Sequence, residues 1–217
     1  MRLPLSTRFK DRERSLNDVA GAILGLVRGK KGNYLACFPS HAYMRALVER
    51  LGEDLGDIRL LVQQNEMDDA ARDAFLGEFK PDPEDSLLGC VVMGGVFSEG
   101  IDLPGDRLSG AAIIGVGLPQ LCPELDTLRA QYAGRGLDGF RYAYQYPGLC
   151  RILQAAGRVI RTETDRGALL LLDDRYFRPD YEALFPPHWQ VESVRTVSDM
   201  EGRLRRFWQN PNSLKGA

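Results

Sequence analysis

The sequence predicts a doubly wound α/β domain, a mainly parallel sheet with helices on both faces. Three observations lead there. Five short apolar runs lie along the 217 residues, each nearly continuous rather than alternating, which is how strands covered on both faces read. Segments with apolar residues at helical spacing separate those runs, and strand–helix alternation is the pattern of a parallel sheet with crossover helices. Hydrophobic residues make up 44% and charged residues 27% of the chain, an ordinary balance for a protein that buries one large core.

Taken in order, residues 1–14 are polar and basic, as a linker or edge segment would be. A helix follows over 16–27, with Leu16, Val19, Ile23 and Leu26 at helical spacing. The first strand spans 34–38, and Ser40 is placed to cap a helix running to Leu51. A strand over 58–62 precedes a helix over 68–79, whose Ala71, Phe75 and Phe79 share a face. Strands over 87–93 and 111–116 come next, then a helix around 121–132. Residues 134–148, with four Gly and four Tyr or Phe, read as an inserted loop. A helix over 149–161, a strand over 168–172, a short helix over 180–184 and a final helix over 199–208 complete the domain. The domain therefore covers 15–210, followed by a frayed tail over 211–217.

Composition excludes several classes. The net charge of −2 offers no overall basic field for nucleic acid, so such contacts must be local. Cys37, Cys90, Cys122 and Cys150 form no CxxC pair and have no His at zinc-like spacing, so no metal site is expected. Cys37 and Cys90 lie in apolar runs and read as core residues. No run approaches the ~18 apolar residues of a membrane span, and the first residues lack a signal peptide's apolar stretch. A cytoplasmic location with no membrane partner is the expectation.

Three segments carry chemistry. On a helix, Gln154, Arg158 and Arg161 fall at i, i+4 and i+7 and share a face, while Ile152, Ala156, Val159 and Ile160 fall opposite and can bury. Two guanidinium groups and an amide projecting from one rigid element suit phosphate oxygens. A solvated basic face is the plainer reading, but Gly157 costs about 1 kcal/mol in mid-helix and calls for compensation, such as close approach of a backbone or ligand.

The second segment, residues 93–105, follows a strong strand and holds four glycines, Ser98, Glu99 and Asp102. Ligands of open α/β sheets bind outside the carboxyl ends of strands. Gly100 and its neighbours let amides approach a phosphate, Ser98 offers a hydroxyl, and Glu99 and Asp102 offer acceptors; a plain Gly-rich turn is the alternative. The third segment, residues 37–43, also follows a strand. Ser40 at a helix start can serve an anion or simply cap, and His41 beside it reads more readily as a surface residue than as a base. Tyr142, Tyr144 and Tyr146 alternate before the arginine helix and could stack on bases, though packing against the sheet edge explains them better.

Together the segments FPSHAYM, GGVFSEGIDLPGDRL and QAAGRVIRTETDRG, with the closing LLDDRY, resemble motifs IV, V and VI and the strand after them in superfamily 2 helicases. The variant is similar to the DinG-type and xeroderma-pigmentosum-group-D-type DNA helicases, over about residues 5–190. The resemblance implies the second RecA-like lobe of a P-loop-NTPase-like motor. It implies that Arg158 and Arg161 reach the ATP γ-phosphate with Gln154 in support. It implies that Glu99, Gly100, Asp102 and Gly157 border the nucleotide and that Ser40, His41 and Ser98 touch single-stranded DNA, with translocation 5′ to 3′.

The departures are equally informative. No GxxxxGK[ST] phosphate loop occurs: residues 25–32 lack both the spacing and the Ser/Thr. No DEAH box and no four-cysteine insert is present. ATP and Mg²⁺ would therefore be held mainly by an N-terminal lobe of a longer parent chain, an iron–sulfur cluster would belong to that parent alone, and the lobe by itself would be inactive. A stand-alone nucleic-acid-binding or partner-docking module is the alternative, disfavoured by the net charge. A nucleotide transferase would need its own phosphate loop or metal carboxylates, and the sequence has neither.

Overall fold

The computed structural model describes residues 1–94, 103, 105–159 and 166–210. Six parallel strands form one sheet in the order β1-β6-β5-β2-β4-β3. They are β1 (Arg2–Leu3), β2 (Asn33–Phe38), β3 (Arg59–Val62), β4 (Leu87–Val92), β5 (Gly110–Ile114) and β6 (Ala168–Leu172). Each strand predicted from an apolar run is present, with its ends within two residues of expectation. The helices are α1 (Arg12–Arg28), α2 (His41–Gly52), α3 (Asp69–Gly77), α4 (Pro123–Gly134), α5 (Tyr146–Ala156), α6 (Pro179–Glu182) and α7 (Val197–Gln209).

Burial on both faces follows from the period of two along each strand. Tyr34, Ala36, Phe38, Leu88, Cys90 and Ile114 point to one face, where α1, α2 and α7 deliver Ile23, Leu47 and Leu204. Leu35, Cys37, Leu87, Val91 and Ile113 point to the other, under Phe75, Phe79, Ile152 and Tyr176. The chain after β2 packs on the first face through α2, whereas the chain after β4 and β5 packs on the second through Leu108 and α5. The connections thus diverge at adjacent strand ends, which opens a crevice at the carboxyl edge of the sheet.

Residues 1–14 are an edge segment rather than a free linker. β1 pairs with β6, Arg2 opposite Leu171 and Leu3 opposite Leu172, and Leu3 and Thr7 are buried. Residues 134–148, expected as a loop, are largely helical. A π-helical turn over Arg141–Gln145 runs into α5, closed by the Tyr146 N–H donating to the Arg141 carbonyl. Pro147 has no N–H for the carbonyl of residue 143, and a widened turn just before it accommodates that loss. The tyrosines divide accordingly. Tyr144 is buried with its hydroxyl donating to Asp126 at 2.8 Å. Tyr142 stays exposed and stacks on Tyr132 at 4.8 Å.

Candidate functional site

The site is built where β2 and β4 end. The two strands pair along their whole length to Phe38 opposite Val92, and the Met93 N–H donates to the Phe38 carbonyl at 2.8 Å, carrying the pairing one residue further. On the other side Gln63, buried just past β3, accepts from the Val92 N–H through Oε1 at 2.7 Å and donates its own N–H to the Cys90 carbonyl at 2.9 Å. The end of β4 is therefore fastened on both flanks before the chain turns at Gly94, whose φ of +78° is a conformation glycine adopts without steric cost.

Helix α5 closes the crevice. Cys37, Met93, Gly94, Arg151, Gln154 and Arg158 line one small cleft, Arg151 and Gln154 one turn apart on α5 and Arg158 in the turn that follows it. Ile152, Ala156 and Val159 are buried on the opposite side, as their spacing predicts. One expectation is corrected. The helix stops at Ala156 and Gly157 is its cap, with φ −64° and ψ −8°, while Arg158 and Val159 continue as a turn through N–H bonds to Ala155 and Ala156. Gly157 thus carries no mid-helix penalty. Among the described residues a Cβ there would meet the Leu153 and Gln154 carbonyls, at 3.3 and 3.7 Å, and no other atom within 4 Å.

The cleft's chemistry is one-sided. Among the described residues it presents guanidinium and amide groups over an apolar floor, with no carboxylate in the lining. Burial pushes the Cys37 thiol up to about 12, so the floor stays uncharged. Such a donor set suits phosphate oxygens but supplies no magnesium ligand, and among the described residues no cluster of three His, Cys, Asp or Glu could hold a metal.

Ser40 and His41 stand apart from this group, at the end of β2 on the helix that packs on the opposite face. Ser40 acts as a cap, its Oγ accepting from the Tyr43 N–H at 3.3 Å, and His41 Nδ1 is buried with no hydrogen-bond partner among the described residues. The structure thus brings together Gln154, Arg158 and Gly94 and sets Ser40 and His41 on a neighbouring strand end. Ser98, Glu99, Gly100, Asp102 and Arg161 lie outside the described residues.

Two features escape sequence reasoning. Arg151 lines the cleft, although its place one turn before Gln154 on the same face was a readable signal. The other is a buried network at the end of β6. Asp173 accepts from Thr7 Oγ1, from the Arg175 N–H at 2.8 Å and from Arg175 Nε and Nη2 at 2.7 and 2.8 Å. Burial alone would raise this carboxyl, but the bonds from Arg175 and Thr7 outweigh it and hold the pKa below its ordinary value. Beside it the Tyr176 hydroxyl donates to the Gly115 carbonyl at 2.7 Å.

A wider groove of about 870 Å³ beyond β5 and β6 is rimmed by Arg8, Arg141, Arg175 and Arg178. Each guanidinium there pairs with a carboxylate, of Asp174, Asp138, Asp173 and Asp180 respectively. The groove's positive charge is therefore largely internally balanced.

The helicase C-terminal domain family matches residues 23–192. The chain belongs to that family. This helicase C-terminal domain is of the DinG/XPD type. It is 29% identical over 189 residues to the ATP-dependent helicase DinG of Mycobacterium tuberculosis, covering 85% of this chain and 27% of the relative. The domain thus spans about a quarter of that relative's length. Among solved structures it superposes on the apo form of XPD with a TM-score of 0.71 at 20% identity, over 89% of this chain and 39% of that one. It superposes on the C-terminal domain of the DEAD-box protein Dbp5 with a TM-score of 0.56 at 16% identity, over 95% and 96% of the two chains. The fold is that of a RecA-like helicase lobe, as the motifs imply.

Proposed function

We propose that this domain is the second motor lobe of an ATP-dependent DNA helicase of DinG type, moving 5′ to 3′ along single-stranded DNA. The observation that carries the reading is the cleft in which Gln154 and Arg158 face Gly94 at the carboxyl ends of β2 and β4. A first lobe would hold ATP and Mg²⁺, and the nucleotide would lie between the lobes. Arg158 and Arg161 then present charge to the γ-phosphate and Gln154 supports them, a contribution of about 10³–10⁵ in turnover for such an arginine. Glu99, Gly100, Asp102 and Gly157 border the nucleotide, with Glu99 and Asp102 relating nucleotide state to DNA position. Ser40, His41 and Ser98 contact the strand's backbone, helped by the amides at the start of α2.

The test compares this domain with a two-lobe protein that contains it. DNA-stimulated ATP hydrolysis by the two-lobe protein, none by the domain alone, and loss of turnover with retained ATP binding in Arg158→Ala and Arg161→Ala are the expected results. Turnover by the isolated domain would overturn the need for a first lobe, and tight salt-sensitive DNA binding by the isolated domain, with no hydrolysis by the two-lobe protein, would replace this reading with a stand-alone module.

A further inference from the structure

Arg151 is half-buried in the cleft, and its guanidinium is turned toward backbone. A Cβ placed on Gly94 would stand 2.9 Å from Arg151 Cζ and 3.1 and 3.2 Å from its Nε and Nη1, so the planar group lies against the face of that glycine. The same Nη1 donates to the Gly117 carbonyl at 3.3 Å. Gly94 is the last described residue before the segment that follows β4, and Gly117 belongs to the turn that follows β5. Arg151 therefore bridges the two turns that leave the carboxyl edge on either side of β2.

The helix that carries Arg151 meets the β5 turn at its start through a close backbone crossing. Gly117, with φ +64°, faces Gly148 so closely that an added Cβ would stand 2.5 Å from the Gly148 carbonyl oxygen; one on Gly148 would stand 2.7 Å from the Val116 carbonyl oxygen. No side chain fits between α5 and the β5 turn there. Moving from Gly148 through Arg151 to Gln154 and Arg158, contacts along the helix and the turn after it pass from a rigid backbone crossing, to a guanidinium on the β4 turn, to the groups facing the cleft. Only an arginine can do the middle part. Its flat fork stacks on a peptide while an edge N–H donates sideways, whereas an ammonium lacks the plane.

We propose that Arg151 is a positioning residue that fixes the turn at Gly94 against the helix that bears Gln154 and leads into the Arg158 turn, so that a displacement of either is transmitted to the other. This rests on the motor-lobe reading for its functional consequence, though not for the contact itself.

Two measurements separate them. The first is a thermodynamic cycle in the 217-residue chain, using denaturant unfolding of Gly94→Ala, Arg151→Ala and the double variant. The positive φ penalises alanine with or without Arg151, but the clash exists only with it, so the double variant is expected to be more stable than the two single losses predict. Additive losses would overturn the contact. The second is steady-state turnover of the two-lobe protein. Arg151→Ala is expected to lower DNA-stimulated kcat about tenfold, the weight of one hydrogen bond from a charged donor, with the KM for ATP little changed and with Arg151→Lys failing to restore it. A wild-type kcat in Arg151→Ala, or full rescue by Lys, overturns the positioning role. An inactive parent two-lobe protein refutes the motor reading and the transmitted effect with it, and the cycle still decides the contact.

Discussion

Arg175 encloses the carboxylate of Asp173, two residues before it, with Nε at 2.7 Å on one oxygen, Nη2 at 2.8 Å on the other, and its own N–H at 2.8 Å on the first. Thr7 donates to the second oxygen, so the acid at the end of the last strand also holds the chain just after the first.

Removing the arginine should be severe. Arg175→Ala leaves a fully buried carboxylate with two of its four donors gone, and loss of one partner of a buried pair costs about 3–5 kcal/mol. Denaturant midpoints of the domain would register this. The pH dependence has a fixed sign. Because the folded carboxyl lies below its ordinary 3.8, its contribution is complete above that value and is lost as the pH falls through the lower folded value. Arg175→Ala should therefore weaken the domain at neutral pH and shrink its further loss on acidification. An acid-unfolding curve parallel to that of the wild type would contradict this.

Glycines divide into two kinds, and the division predicts opposite outcomes. Gly117→Ala combines a positive φ with a backbone clash at 2.5 Å, and strain plus overpacking should cost about 2–4 kcal/mol. Gly21, inside α1, has nothing within 4 Å of an added Cβ, so Gly21→Ala should stabilise by about 0.5–1 kcal/mol. Thermal midpoints moving in opposite directions would confirm the pair of statements.

In the two-lobe protein, Arg158→Ala should lower turnover by about 10³-fold or more while ATP binding persists. Nucleotide titration alongside steady-state hydrolysis measures both, and near-wild-type turnover would remove Arg158 from the γ-phosphate.

Much of this was legible in the residues. The five strands predicted from apolar runs were readable because a strand buried on both faces must be apolar throughout, and Ser40 and Asp68 marked helix starts because their side chains accept the orphan N–H groups of Tyr43 and Ala71. The edge strand Arg2–Leu3 was less visible: two residues carry no period, and only pairing with β6 makes them a strand. The π turn before Pro147 was hidden because glycine and aromatic content mimics a loop, while the break it repairs involves a hydrogen bond that sequence does not display. In the site, the spacing of Gln154 and Arg158 was sufficient to put them together. Arg151 was passed over because its function lies in touching two glycines from other strands, and Asp173 because a buried acid is recognisable only once its donors have converged on it.

The first strand pairs with the last, Arg2 opposite Leu171 and Leu3 opposite Leu172. During synthesis, at about 5–20 residues per second, Met1–Leu3 must wait roughly 10–30 s before β6 emerges to receive it. Thr7 and Asp173 wait equally long. The nascent chain can assemble β2, β4 and β3 with the helices between them, but the sheet's β5–β6–β1 flank and the carboxylate network cannot close until β6 and Asp173 to Arg175 have been translated. Until β6 emerges the nascent domain exposes the open flank of β5, which makes the arrival of β6 the step that seals that flank against edge-to-edge association.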